Sequence, residues 1–177
     1  MAGRNRHLKG KTNTILAPVH SYHVVEQGDF MVLSSVDYIT DRGIAADNYA
    51  APFSELQPDT TQEVLVLSRL IYSQFLGVAM EGSPAGVTEN ITIATTGVFR
   101  YPIIHTSVPS AVTVGSLVAA VSPSTAYKGV SAQTVAHGTD AVRMSTSYLG
   151  YIVKSESGAS FVDFEIRTAF GPGGLAS

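Results

Sequence analysis

One pattern of short strands and glycine-bounded turns occurs twice along the chain, and it constrains the fold more than any other feature. In each copy a strand follows a glycine turn, a second strand contains Leu-Gly, and a third strand alternates apolar and polar residues. The segments are residues 28–32, 75–79 and 91–95 in the first copy, and 115–118, 148–152 and 162–166 in the second. Many short strands with glycine turns and little helix predict a small barrel or sandwich. The recurrence favours a β-meander that closes on itself.

The strand pattern predicts an all-β protein: a small β-barrel or β-sandwich with an extended N-terminal arm and at most one short helix. The clearest strand covers residues 161–167, where Val162, Phe164 and Ile166 face one side and polar residues face the other. Gly77 and Gly150 each lie inside a strand, which indicates a bend or a close approach of the backbone to a neighbour.

The one helix is expected near residues 60–71. Thr60-Thr61-Gln62-Glu63 has the spacing of a capping box, and Leu67 and Ile71 recur on one helical face. Residues 64–67, Val-Leu-Val-Leu, fit a strand equally well, so helix and strand both stay open. Residues 42–59 are predicted to form a long loop, and residues 122–147 a loop or a loose hairpin.

The charges divide the chain into an arm, a body and a tail. Residues 1–23 form a basic arm, because Arg4, Arg6, Lys9 and Lys11 precede any acidic residue. Residues 26–177 carry 7 basic and 14 acidic residues, a balance of 7 − 14 = −7. The β-rich body is assigned to residues 24–170 and a flexible tail to 171–177. Duplex binding needs a basic stripe, so the acidic body argues against nucleic acid as the main partner.

The chain contains no pattern typical of catalysis. It has no cysteine, which excludes disulfides and thiolate chemistry. His20 and His23 are the only close pair of histidines, and no third ligand stands near them, so we predict no metal and no cofactor. Nucleophile motifs, phosphate loops and paired acids are missing as well, and we predict that the protein is not an enzyme.

The apolar runs and the N-terminus indicate where in the cell the protein is expected to be made. The longest apolar runs are far shorter than the roughly 20 residues of a membrane span. The N-terminus has no apolar segment of signal length. We therefore expect synthesis in the cytoplasm and no membrane partner.

The order of the motifs resembles the capsid cement, or head-decoration, proteins of tailed bacteriophages. The resemblance is carried by Val-Glu-Gln-Gly-Asp-Phe-Met-Val at 25–32, Leu-Gly-Val-Ala-Met-Glu-Gly at 76–82 and Ile-Thr-Ile-Ala-Thr-Thr-Gly-Val at 91–98. It continues through 115–118 and 148–153 and covers about residues 24–168. Residues 42–75 are longer than the family pattern, and the arm matches no motif of the family.

The resemblance implies a structural protein that binds the outer surface of a phage head and stabilises the capsid lattice. The expected partners are the major capsid protein and further copies of the chain, with a homotrimer favoured. Only 14% of the residues are charged, which agrees with contact surfaces, because the cores of interfaces are depleted in charge. Two other functions remain open: another phage structural subunit, of the tail or of head completion, and a cytoplasmic ligand-binding β-domain.

Two groups of residues are candidates for capsid contact. The arm residues are expected to dock electrostatically on acidic patches of the capsid protein. Tyr49 and Phe53, in the loop 42–59, form the second group, with packing of both side chains on their own barrel as an equal alternative. The arm candidates are Arg4, Arg6, Lys9 and Lys11.

Overall fold

The computed structural model of the chain describes residues 6–9, 11–33, 49–56, 61–104, 112–121, 130–138, 143–155 and 160–169. Within these ranges the chain forms one α-helix, α1 (Thr61–Gln74), and one 3-10 turn (Phe53–Glu55). The strands in the same ranges are β1 (Arg6–Lys9), β2 (Thr14–Val19), β3 (Phe30–Leu33), β4 (Ala50–Pro52), β5 (Phe75–Ala79), β6 (Glu89–Ala94), β7 (Val98–Ile104), β8 (Leu117–Val121), β9 (Val135–His137), β10 (Arg143–Lys154) and β11 (Phe161–Ile166).

The strands close into two barrels. Barrel 1 has the ring order β2-β4-β3-β5-β6, and barrel 2 has the ring order β7-β9-β8-β10-β11. Strand β1 lies outside both rings and pairs antiparallel with β7. The predicted all-β fold with an extended N-terminal segment and one helix is confirmed, and of the two predicted architectures the chain adopts the barrel.

Barrel 2 repeats the topology of barrel 1 strand for strand. When β2–β6 are matched in chain order with β7–β11, the ring order is the same. The first and third strands of each barrel are parallel, and every other pair in the rings is antiparallel. The register is repeated too, since Val19 faces Ala50 in barrel 1 and Ile103 faces Val135 in barrel 2. The recurrence in the sequence therefore marks two barrels, whereas the sequence predicted one closed meander.

Gly77 and Gly150 occupy equivalent positions in β5 and β10. A Cβ atom on Gly77 would overlap the carbonyl oxygen of Ala94, and a Cβ atom on Gly150 would overlap that of Glu165. Only glycine lets the neighbouring strand approach so closely. The close approach predicted for both glycines is confirmed.

The two barrels also share the glycine turn that precedes their second strand. The N–H of Gly28 donates to the carbonyl of Ala79 at 2.8 Å, and the N–H of Gly115 donates to that of Ile152 at 2.8 Å. Gly28 and Gly115 have φ angles of 97° and 90°, which glycine adopts without a steric penalty. Each turn thus fixes the start of its strand against the Leu-Gly strand beside it.

Each barrel has an apolar interior, and one interior extends across the junction between the barrels. The interior of barrel 1 contains Ala17, Val19, Met31, Ala50, Leu76, Ala79, Ile91 and Ile93. The equivalent positions of barrel 2 hold Tyr101, Ile103, Val118, Val135, Leu149, Ile152, Val162 and Phe164. This second cluster continues through Phe30, Val32 and Phe53 of barrel 1 to the helix. The outer face of barrel 1 therefore packs on barrel 2.

Helix α1 lies mainly against β10. Leu67 and Ile71, four positions apart, have no exposed surface, whereas Leu65 and Val66 are about half exposed. Residues spaced by four lie on one face of a helix. Of the two structures that the sequence left open here, the chain forms the helix.

Three segments predicted to be irregular contain strands. Strand β2 lies inside the predicted arm, β4 lies inside the predicted loop 42–59, and β9 with the start of β10 lies inside 122–147. Strands β4 and β9 are three residues long, too short to show an alternating pattern. Their parallel neighbours, β2 and β7, supply the pairing that the local sequence does not indicate. The predicted tail 171–177 lies outside the described residues.

Candidate interaction surfaces

Apolar side chains surround the end of barrel 1 at which β2 ends. We define the aromatic rim as His20, Tyr22, Val24, Tyr49 and Val87. The ring of Tyr22 stacks on His20 with centroids 4.5 Å apart, and Tyr49 meets His20 edge-on at 5.0 Å. Tyr22, Val24 and Val87 expose 68%, 52% and 44% of their surface. Exposed apolar groups that cluster in this way mark sites of interaction.

Backbone hydrogen bonds hold two of the three segments of the aromatic rim together. The N–H of Gly86 donates to the carbonyl of Ser21 at 2.7 Å. Val25 and Ser83 exchange a pair of backbone bonds, each 2.9 Å long. The connection between β5 and β6 is thereby fixed beside the segment that follows β2, and the chain neighbours of Val87 and Tyr22, Gly86 and Ser21, are bonded to each other.

Barrel 2 presents apolar groups at the corresponding end. Ile104, at the end of β7, occupies the position of His20 in barrel 1. The N–H of Ile103 donates to the carbonyl of Ser160 at 3.0 Å, which holds the start of β11 beside the end of β7. Ile104 and Phe161 are 39% and 45% exposed. Both barrels therefore expose apolar surface where their first strand ends.

Strand β1 carries the predicted arm along the edge of barrel 2. In its register Arg6 faces Arg100, and Lys9 faces Val98. Like charges directly opposite each other destabilise a strand pair. The Nε of Arg100 lies 2.6 Å from a carboxylate oxygen of Asp163, so the charge of Arg100 is balanced within the barrel. The edge can therefore accept a basic strand.

A hydroxyl group fixes the chain between β1 and β2. The Oγ1 of Thr96 donates to the carbonyl of Lys11 at 3.2 Å and accepts from the N–H of Asn13 at 2.8 Å. Lys11 is exposed at this point. Of the four predicted arm contacts, Arg6 and Lys9 lie in β1, Lys11 lies beside Thr96, and Arg4 lies outside the described residues.

The burial of Phe53 contradicts the prediction that its side chain contacts a partner. Its side chain has no exposed surface, and its ring lies 5.6 Å from that of Phe30 and 5.8 Å from that of Phe75. The 3-10 turn after β4 directs this ring into the core. Phe53 is thus unavailable to a partner. Packing on its own protein, the alternative to capsid contact in the sequence analysis, is what the structure shows for this residue. Tyr49 is half-buried and belongs to the aromatic rim.

A buried polar cluster joins the two barrels. The carboxylate of Asp29 accepts from the backbone N–H of Glu26 at 2.8 Å and from the Nε2 of Gln133 at 2.8 Å. The hydroxyl of Tyr101 donates to the carbonyl of Gly28 at 2.5 Å. Gln133 and Tyr101 belong to barrel 2, whereas the other groups belong to the turn of barrel 1. These bonds connect the barrels where their apolar surfaces meet.

Burial is the main cause of the shifted pKa values in this cluster. It raises the pKa of Asp29, and the hydrogen bonds from Glu26 and Gln133 offset part of the effect. Burial also raises the pKa of Tyr101 well above its ordinary value, with the charge of Asp29 as the second cause. The hydroxyl of Tyr101 therefore stays protonated and remains a donor. In barrel 2 the position of Asp29 is held by Ser116, so the turn itself does not require an acid.

The histidine pair forms a turn. The N–H of His23 donates to the carbonyl of His20 at 2.9 Å. Among the residues that the structure describes, no three His, Cys, Asp or Glu side chains are grouped so that they could hold a metal ion. Within the same residues, no helix has both the length and the apolar character needed to cross a membrane.

From the sequence, Tyr49 of the aromatic rim was predicted as a candidate contact, but Tyr22, Val24 and Val87 were not. Tyr22 lies in the predicted arm 1–23, Val24 is the first residue of the predicted body 24–170, and Val87 follows a turn. None of the three takes part in an alternating or helical pattern, so no periodic signal separates them from buried residues. A weak signal is the density of aromatic and histidine residues in His20-Ser21-Tyr22-His23.

Comparison with known proteins gives no relative. No protein-family model matches the chain, and no curated protein or solved structure matches it. Its function is therefore inferred from its motifs, its fold and its surfaces.

Proposed function

We propose that the chain is a non-enzymatic structural protein of a tailed-bacteriophage virion, which binds the outside of the head and stabilises the capsid lattice. The aromatic rim is the observation that carries this proposal. It places exposed aromatic and apolar side chains on the end of a closed barrel, where hydrogen bonds hold them in place. Aromatic groups held in this way suit adhesion to another protein, because they lose little entropy on binding.

The position of the family-like motifs supports the same function. The motif at 25–32 forms the turn and strand β3, the motif at 76–82 forms most of β5, and the motif at 91–98 forms β6 and the turn into β7. All three lie in barrel 1 or in the turn that leads from it into β7. Most of the barrel that carries the aromatic rim therefore lies within the part of the chain that resembles decoration proteins, which continues into barrel 2 through 115–118 and 148–153.

The arm supports the choice of partner. Its basic residues precede a body with a net negative charge. An extended basic segment is drawn to acidic patches on a protein surface and raises the rate of encounter. The proposed partner is the major capsid protein, and the proposed self-association is the homotrimer that the resemblance implies.

The experiment on the rim uses empty shells of the major capsid protein from the phage that carries this gene. Shells are incubated with the full chain, sedimented, and assayed for bound protein. The double variant Tyr22→Ser, Val24→Ser is expected to bind about tenfold or more weakly, because truncation of a central contact costs more than about 1 kcal/mol. The control Leu65→Ser, Val66→Ser removes similar exposed groups from the helix and is expected to bind as the wild type does. Equal binding by both double variants contradicts the rim as the contact.

The experiment on the arm removes residues 1–10. The deletion ends there because Thr96 binds Lys11 and Asn13 and because β2 is part of barrel 1. The truncated chain is expected to bind shells more weakly at low salt and to lose most of its salt dependence, since exposed charges are screened by ions. Unchanged occupancy of the shells at every salt concentration removes the arm from the mechanism.

A further inference from the structure

Strand β2 has an open edge. On one side it pairs with β6 along its whole length, whereas on the other side β4 pairs with it only at Val19. The hydrogen bond from Thr95 to Asn13 shows that odd-numbered residues of this strand turn their backbone groups to β6. The N–H and C=O groups of Thr14 and Leu16 therefore point to the other side. Within the described part of the chain, no strand pairs with them there.

The equivalent edge of barrel 2 is covered. Strand β7 is the counterpart of β2, and Val98 and Arg100 stand in the positions of Thr14 and Leu16. Strand β1 pairs with Val98 and Arg100 as an antiparallel strand. An edge of this geometry thus accepts a short antiparallel strand. In the described part of the arm, β1 covers the edge of β7, and no strand covers the equivalent edge of β2 at Thr14 and Leu16.

The open edge carries little to prevent pairing. Leu16 is 72% exposed, and residues 12–19 contain no charged side chain. Proteins usually protect an exposed edge with charges or proline. Pro18 removes one donor, but it lies beside the point where β4 already covers the strand.

We propose that this edge binds the same edge of a second copy of the chain, β2 to β2, about a two-fold axis. Two identical strands related by a two-fold axis run antiparallel, which is the direction that β7 accepts. With Thr14 of one copy opposite Leu16 of the other, both pairs exchange backbone N–H and C=O groups. The two Leu16 side chains then become diagonal neighbours on one face.

A second copy fits better than another segment of the same chain. Strand β1 already occupies β7, so among the described strands the edge of β2 stays open in each copy. Two-fold pairing covers the open edge of both copies without a further strand. The contact does not depend on capsid binding, and it joins either two chains or two trimers.

The test follows self-association of the full chain by sedimentation equilibrium, together with hydrogen exchange of the amides of Thr14 and Leu16. Both amides are expected to exchange more slowly as the protein concentration rises. Leu16→Lys places a charge on the edge and is expected to weaken association about tenfold or more. Thr14→Pro removes a donor that points away from β6, so it is expected to weaken association and leave the barrel hydrogen bonds intact.

The control is Leu65→Lys, which places the same charge on the exposed face of the helix, and circular dichroism checks that each variant is folded. Three results overturn the proposal. One is a chain that stays a monomer or a trimer up to about 1 mM, a concentration at which even weak contacts form. Another is association in which the amides of Thr14 and Leu16 still exchange rapidly. The third is a loss of association in Leu65→Lys as large as that in Leu16→Lys.

Discussion

At the scale of single residues, Gly77 and Gly150 show the same contact in both barrels, and each can be tested by adding one methyl group. Gly150→Ala is expected to lower the free energy of unfolding by about 1–3 kcal/mol, because the methyl group overlaps the carbonyl of Glu165. Gly77→Ala is expected to cost more, since its φ of 137° adds backbone strain of about 1–3 kcal/mol. Urea unfolding measures both values.

Gly86→Ala is the matched control for these glycines. Its φ is 90°, and a Cβ atom there has no neighbour within 4 Å. The variant therefore carries strain without collision and is expected to cost about 1–2 kcal/mol. A Gly150→Ala variant as stable as the wild type contradicts the close approach of β10 and β11.

Asp29 makes the stability of the chain depend on pH in a defined direction. Its folded pKa is raised, so the proton favours the folded state. The stabilisation is complete below the ordinary value of 3.8 and is lost as the pH rises through the raised folded value. Each unit between the two values corresponds to about 1.4 kcal/mol. Relative to Asp29→Asn, the wild type is expected to lose free energy of unfolding as the pH rises, as measured by urea unfolding in steps upward from pH 4.

The contribution of Glu81 to stability is expected to depend on pH in the opposite direction, so Glu81 serves as the control. The hydrogen bond from the N–H of Thr92, 2.6 Å long, lowers the pKa of Glu81. Its contribution is complete above the ordinary value of 4.5 and is lost as the pH falls through the lowered folded value. Relative to Glu81→Gln, the wild type is thus expected to gain stability with rising pH. If the stability difference between wild type and variant changes with pH in the same direction for both residues, the raised pKa of Asp29 is contradicted.

At the scale of elements, the helix can be tested by comparing its two faces. Leu67 is fully buried and Leu65 is half exposed. Leu67→Ala is expected to lower the free energy of unfolding by about 2–5 kcal/mol, because it leaves a cavity against the core. Leu65→Ala is expected to change it by less than about 0.5 kcal/mol. Equal losses, measured by urea unfolding, contradict the assignment of the buried face.

The elements also show which parts of the fold a sequence pattern can predict. Strand β11 was predicted from its alternation, and Val162, Phe164 and Ile166 are buried as expected. Asp163 is buried as well, because Arg100 of β7 pairs with it. No pattern within β11 contains that information, since the partner comes from a distant strand.

The helix and the short strands mark the limit of local prediction. Residues 64–67 suited either structure, and the helix forms because its Leu67 face packs into a core built by distant strands. Strand β9 contains Val-Ala-His and has no alternation, yet β7 and β8 pair with it on both sides. Most of the aromatic rim was missed for the same reason, because three separate segments build it.

At the scale of the whole molecule, the barrels share so much of their core that they are expected to unfold together. Phe30 of barrel 1 stacks on Tyr101 of barrel 2 with centroids 4.5 Å apart, and its N–H donates to the carbonyl of Ala132 at 2.9 Å. Loss of one barrel exposes the apolar face of the other, which couples their stabilities. Calorimetry is expected to show one transition whose calorimetric and van't Hoff enthalpies agree.

Ile93→Ala tests this coupling, because Ile93 lies in the interior of barrel 1 and outside the shared cluster. The cavity is expected to cost about 2–5 kcal/mol. For a chain of this size that lowers the Tm by about 2–4 °C per kcal/mol, and the single transition is expected to move as a whole. Phe164→Leu, at the equivalent position of barrel 2, is expected to shift the same transition. Two transitions, of which Ile93→Ala moves one and Phe164→Leu the other, show instead that each barrel folds alone and that the duplicated topology consists of two independent domains.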